Sequence, residues 1–131
     1  MSIYGCFEMT IGFNGDEIVD FITYETDGTF RCYEIKTSVA DLRSKSRLSF
    51  VGHYNYLVMP DELYRQAVSK RLTAPHYAGI ITSSGIQRKP KKRQVSLGMQ
   101  VTLLESMVRS LAREQTKYRD LMSRMMEKGG K

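Results

Sequence analysis

The 131-residue sequence contains no tryptophan and only two cysteines, and it has no apolar run approaching the roughly eighteen residues of a membrane span. The short apolar runs exclude a transmembrane helix. Cys6 and Cys32 match no metal-ligand spacing and supply no disulfide framework, so both are expected as reduced core thiols in a cytoplasmic protein. The opening "MSIYGCFEMT" has no basic n-region, no long apolar h-region and no cleavage site, so secretion is not expected. With no tryptophan, and no strongly apolar amphipathic segment beside the basic runs, a membrane-surface role is also disfavoured.

The chain does carry a large excess of positive charge. Lysine and arginine exceed aspartate and glutamate by six, the sequence pI is about 9.4, and the excess concentrates in "LRSKSR", "SKR", "RKPKKR" and the C-terminal half. Such a balance favours a polyanionic partner, and charge by itself does not separate nucleic acid from an anionic membrane surface or an acidic protein. The length suits one domain with a sizeable hydrophobic core.

Several segments declare their local structure. "YGCFEMTI", "EIVDFITYE" and "FRCYEIKTS" are rich in β-formers and are separated by the turns "GFNGD" and "TDGT". "VADLRSKSRLSF", with an aspartate near its start, predicts a helix over 39–50. "NYLVMP" predicts a buried strand stopped by Pro60. "PDELYRQAVSKRL" predicts a second helix, and "YAGIIT" and "IQRKP" a last pair of strands, the second at an edge. In the tail Leu97, Val101, Leu104, Val108, Leu111, Gln115, Tyr118, Met122 and Met125 alternate spacings of four and three. That predicts a long helix with a heptad seam, whose first half covers the sheet or whose second half mediates a homodimer.

The chemistry is expected at Glu34 and Lys36, which stand on one face of a strand because side chains two apart share a face. Whether an upstream acid joins them depends on the "TDGT" loop. A two-residue loop, Asp27-Gly28, places Phe21 opposite Glu34 and turns Asp20 to the other face. A three-residue loop, Thr26-Asp27-Gly28, with Gly28 left-handed, places Asp20 opposite Glu34 and Ile18 opposite Lys36. In the second register two carboxylates and the Ile35 carbonyl supply oxygen ligands for Mg²⁺ or Mn²⁺. Lys36 then stands where it can position a water or balance charge on phosphorus, which is metal-assisted phosphodiester hydrolysis.

On these residues, Asp20 followed by Glu34-x-Lys36 after a hairpin, the chain resembles the PD-(D/E)XK nuclease superfamily. The stretch through "SVADLRSK" and "GHYNYLVMP" is similar to its MmcB-like and VRR-NUC-like branch of small DNA-repair or phage-encoded nuclease domains. The resemblance covers roughly residues 4 to 95. It implies an α/β fold, a restriction-endonuclease-like mixed β-sheet flanked by helices, with a nuclease core over 1–95 and a C-terminal helix over 96–131. It further implies Asp20 and Glu34 as metal ligands and Lys36 as the catalytic lysine. The family's additional acid falls to Glu8, with Asp16 and Glu17 the other upstream acids.

DNA contacts are expected from Arg43, Lys45 and Arg47 on the helix after the E-x-K strand. Further contacts are expected from His53 and from Arg88, Lys89, Lys91, Lys92 and Arg93 in the densest basic run. Each has a plainer reading: solvated charge for the lysines and arginines, and a loop-anchoring histidine for His53. Tyr54 and Tyr56 suit the core or base stacking. The expected function is DNA cleavage in repair, recombination or phage DNA processing. Its competitors are a nuclease-like module that binds DNA or protein without cutting, and a basic regulatory dimer.

Overall fold

Three strands rich in β-branched and aromatic residues open the fold: β1 (Ile3–Thr10), β2 (Ile18–Glu25) and β3 (Phe30–Ile35). They are followed by α1 (Val39–Arg43), β4 (Tyr54–Val58), α2 (Asp61–Ser69), β5 (Gly79–Thr82), β6 (Gly85–Arg88) and α3 (Leu97–Gly129). The computed structural model describes residues 1–12, 15, 17–44 and 48–129. The strands form one six-stranded mixed sheet in chain order, giving a mixed α/β fold with a long C-terminal helix. Neighbours β3, β4 and β5 are parallel and joined through α1 and α2, while the outer pairs are antiparallel. Among the described residues no helix is long and apolar enough to cross a membrane.

The β2–β3 hairpin takes the three-residue loop. Glu25 N–H donates to the Thr29 carbonyl (2.9 Å), Gly28 N–H donates to the Glu25 carbonyl (2.8 Å), and Gly28 has φ 96°. The register that follows pairs Tyr24 with Phe30, Ile22 with Cys32 and Phe21 with Tyr33. A Cβ on Gly28 would meet nothing within 4 Å, so Gly28→Ala is a test of backbone conformation alone. We expect it to cost about 1–2 kcal/mol in urea denaturation, the ordinary penalty of a left-handed L-residue.

The helices share one face of the sheet. Alternation puts Phe30, Cys32 and Glu34 on the same side of β3, and the parallel register sets Leu57 beside Glu34 and Ile80 beside Leu57. Phe30 and Cys32 belong to the core with Leu103 and Met107 of α3, and Leu57 to the core with Leu63 of α2. The opposite face carries an aromatic row across four strands, Phe7, Phe21, Tyr33 and Tyr56, with successive ring centroids 4.4, 5.6 and 4.9 Å apart.

One sequence expectation is corrected, and another, that the first half of α3 covers the sheet, holds through a face other than its heptad seam. The helix expected over 39–50 ends at Arg43, where Ser44 is extended and its N–H closes the last turn on the Asp41 carbonyl. Leu48–Phe50 are not helical, because this stretch crosses the end of the β2–β3 pair, where Ser49 is buried, and sends Phe50 into the core with Leu57 and Leu63. In α3 the heptad seam is not what packs on the sheet. Leu103, Ser106 and Met107 are the buried residues, and the apolar seam members are exposed. Leu103 and Met107 pack into the core with Cys6, Met9 and Val19, and Gly12 is tied to the same face of α3. Gly12 N–H donates to Ser106 Oγ (3.0 Å), and Arg109 Nη1 donates to the Gly12 carbonyl (2.8 Å).

Candidate active site

The carboxylates meet where the β2–β3 ladder stops. Glu25 and Thr29 exchange a backbone hydrogen bond, so every second pair along the ribbon repeats that pattern, and Ile35 N–H would next donate to the Val19 carbonyl. Pairing ends instead at Phe21 and Tyr33, and Ile35 N–H donates to Asp20 Oδ2 at 2.8 Å. The β1–β2 register runs unbroken from Cys6 opposite Ile22 to Met9 opposite Val19, yet both pairs point into the core although they are three residues apart. Strict alternation is therefore lost at Glu8 and Asp20, which drop out of the ladder, and Glu8 takes φ 49° there.

Asp20 therefore lies beside Glu34 at the C-terminal end of β3. The Glu34 carboxyl is buried, and its pKa is pushed up to about 7. Loss of hydration is the largest cause, followed by the charge of Asp20 and a hydrogen bond shared with that carboxylate. Ser49 N–H, 3.4 Å from Glu34 Oε1, and the charge of Lys36 pull weakly the other way. Ser49 Oγ also donates to the Ile18 carbonyl (3.1 Å), fastening the 48–50 segment over the pair.

Lys36 continues the strand, its N–H donating to the Val58 carbonyl (2.9 Å). Its side chain is buried, with Nζ 3.8 Å from Asp41 Oδ1. Asp41 also accepts from Thr37 N–H (3.1 Å), and its own N–H donates to the Ser38 cap. Asp41 was not foreseen as a site residue. The signal was present, since a helix-capping Ser38 three residues ahead of an acid, directly after a buried lysine, brings that acid back toward the strand end.

Glu8 is not brought to the pair. It is exposed and lines a cleft with Ser110, Arg113 and Lys117 of α3. Glu17 is nearer the site, its charge acting with that of Glu34 on the Cys32 thiol, which burial pushes up to about 12. Cys6 and Cys32 are both buried and reduced. Asp16, Lys45 and Arg47 lie outside the described residues.

The basic residues are divided by position. Arg43 is exposed at the end of α1, close in sequence to the site. His53 sits at the other end of β3. Its Nδ1 accepts from Phe30 N–H (3.0 Å) and its N–H donates to the Phe30 carbonyl (2.9 Å), so it anchors the loop. Burial and the charge of Lys92 hold its pKa below the usual imidazole value. Arg93 N–H donates to the His53 carbonyl (2.8 Å), its guanidinium lies 4.0 Å from the centre of the Tyr77 ring, and Lys91 N–H donates to the Tyr77 carbonyl. Arg88 spends its guanidinium on the Ala78 and Pro75 carbonyls (2.8 and 2.7 Å). Lys89, Lys91 and Lys92 are exposed.

The end of the "RKPKKR" run, Lys92 and Arg93, is thus at the Phe30 end of β3, while Arg88 pairs with Ile80 and so stands level with Glu34, three strands across the sheet. The four steps from Phe30 to Glu34 span about 13 Å, or about four base pairs of duplex. Tyr56 is buried in the aromatic row, stacked on Tyr33 and accepting from Arg31, and Tyr54 lies under the Arg31 guanidinium (4.4 Å).

Among the described residues no group of three His, Cys, Asp or Glu side chains is placed to hold a metal ion. The pair nonetheless fits a hard cation. Two adjacent oxygen donors of like charge, one holding its proton to about pH 7, are destabilised as a dianion, and the Ile35 carbonyl lies between Glu34 and Lys36 in the chain. Burial and the Asp20 charge favour the protonated form of Glu34, and a divalent ion held by the pair would let both carboxyls ionise.

No protein-family model matches the chain, and no curated protein matches it in sequence. Among solved structures it is similar to the SPO1766 protein of unknown function from Silicibacter pomeroyi, with a TM-score of 0.71 and 15% identity. The match covers 92% of this chain and 82% of that one, and what it shows is a shared fold.

Proposed function

We propose that the protein is a metal-dependent nuclease with a restriction-endonuclease-like core, hydrolysing DNA phosphodiester bonds in repair, recombination or phage DNA processing. The observation that carries this reading is the Asp20–Glu34 pair, held together at a strand end with Glu34 protonated to about pH 7. Asp20, Glu34 and the Ile35 carbonyl would hold Mg²⁺ or Mn²⁺. A bound cation of that kind polarises a phosphate oxygen and acidifies water. Asp20 keeps its place through the Ile35 N–H, and Glu34 through the Ser49 N–H. Lys36, whose charge already reaches Glu34, would orient the attacking water once it leaves Asp41. The resemblance of Asp20, Glu34 and Lys36 to the PD-(D/E)XK pattern supports the same roles.

A second reading is a nuclease-like module that binds DNA or protein without cutting. The Lys36–Asp41 contact, the two-carboxylate donor set and the distance of the basic run from the pair favour it. Nicking of supercoiled plasmid in Mg²⁺ or Mn²⁺ separates the two. Activity that disappears in Lys36→Ala while salt-sensitive DNA binding persists supports cleavage. Binding with no nicking in any divalent metal supports the second reading, and no DNA affinity at all removes both.

Metal binding has its own readout. At pH 8 about 10 mM Mg²⁺ acting on a millimolar site should stabilise the protein by about 1–2 kcal/mol, or roughly 3–8 °C in Tm. At pH 5, with Glu34 protonated, the shift should be much smaller. An equal shift at both pH values, or one retained in Glu34→Gln, would place the ion elsewhere.

A further inference from the structure

Helix α3 carries a second apolar face that the domain does not use. In heptad terms Val101, Val108, Gln115 and Met122 occupy a, and Leu97, Leu104, Leu111, Tyr118 and Met125 occupy d. Every apolar member is exposed, from 37% at Leu104 to 76% at Leu97. This stripe runs for about 42 Å and lies roughly 130° round the helix from the face that packs on β1. An occupant can therefore cover it without disturbing the α3–β1 core.

We propose that α3 pairs with α3 of a second copy of this chain as a parallel, in-register, two-stranded coiled coil. Valine at a with leucine at d is the combination that favours two parallel strands. Gln115 is the single polar a residue. In register it meets its own twin, and the two amides satisfy each other. In an antiparallel pair it would face the partner's Leu111 with its polar group stranded.

The flanking positions make the same choice. In a parallel pair each g residue meets the e residue five places on in the partner. Glu114 at g then meets the partner's Arg119 at e, an attractive contact made twice by symmetry. The exposed ion pair of Glu114 with Lys117 at 3.5 Å is weak enough not to compete. Leu121 and Met126, 54% and 71% exposed, belong to neither a nor d. They fall at g and e, so the same rule sets Leu121 against the partner's Met126 and widens the apolar strip where the helix has left the domain. An antiparallel pair would instead aim Leu121 at the partner's Met107, which is already buried in its own core.

The test uses the full chain, by sedimentation across about 1–100 μM. The wild type should sediment as a dimer. Leu111→Glu, which puts two acids in one d layer, should raise the dissociation constant about a hundredfold or more with circular dichroism unchanged. Glu114→Arg should weaken the dimer and Glu114→Arg with Arg119→Glu should restore it. Met122→Cys should give a disulfide-linked dimer on mild oxidation, because in register the two sulfurs meet, whereas antiparallel helices hold them about 27 Å apart. The native cysteines are buried and do not interfere. A monomer throughout the range, a dimer indifferent to Leu111→Glu, or a dimer in which Met122→Cys does not cross-link would each overturn the proposal.

Discussion

Asp20→Asn is expected to reduce divalent-metal-dependent nicking by about 10²–10³-fold while making the metal-free protein more stable above pH 7. The two effects have one origin. Asp20 accepts a hydrogen bond from Ile35 N–H and places a negative charge beside Glu34. Asparagine retains an oxygen for the Ile35 N–H and loses the charge, so geometry survives while the donor set for a cation is weakened. Glu34 has a folded-state pKa near 7 against an ordinary 4.5. Its contribution to stability is fully present below about pH 4.5 and is lost as the pH rises through 7. Removing the Asp20 charge lowers the Glu34 pKa and shrinks that loss. Urea denaturation should therefore show the variant ahead of wild type by about 1 kcal/mol at pH 8, and level with it at pH 4. If the variant is weaker than wild type by the same amount at both pH values, Asp20 is only a backbone tie and the charge coupling is wrong.

Phe30→Ala is expected to cost about 3–5 kcal/mol, lowering Tm by roughly 10–20 °C. Phe30 is fully buried at the start of β3, with the Tyr24 ring 5.0 Å away and the His53 ring stacked at 6.2 Å. Its side chain joins the core formed by β1, β2 and α3, so truncation leaves a cavity that elements on three sides cannot all close. The damage should be confined in function. The carboxylate pair is about 13 Å away along the strand, so at a temperature where the variant is folded, Mg²⁺ should still stabilise it at pH 8. Ile86→Ala, at a position 60% exposed on the edge strand, is the control and should move stability by less than about 0.5 kcal/mol. Loss of the Mg²⁺ effect in folded Phe30→Ala would show that the two ends of β3 are coupled.

What was legible beforehand follows from the range of each signal. The strands, α2 and the length of α3 announced themselves through propensity and periodicity, which act over a few residues. The Asp20–Glu34 pairing was half legible, because "TDGT" permits two loop lengths of opposite consequence. The residue that takes the left-handed turn, Gly28, only decides between them once Glu25 and Thr29 are seen to bond. Glu8 and Asp41 were misjudged for a related reason. A left-handed kink at Glu8 leaves its side chain in a cleft against α3, and a short capped helix carries Asp41 back to Lys36. Neither displacement leaves a mark on periodicity.

Composition, the order of elements and the heptad in α3 were determined by the sequence alone, since each depends on neighbours along the chain. The tertiary structure decided which side of α3 faces the sheet, because the β1–β2 core buries Leu103 and Met107 while Gly12 bonds Ser106 and Arg109 on that same side. It also decided that the end of "RKPKKR" and the carboxylates sit at opposite ends of β3, although Arg88 stays level with Glu34. That separation arises because β6 runs antiparallel to β5, so the chain leaving it returns past the starts of β3, β4 and β5 while the carboxylates lie near the end of β3. Charges far apart or close together in the sequence are sorted by that direction, and no local pattern records it.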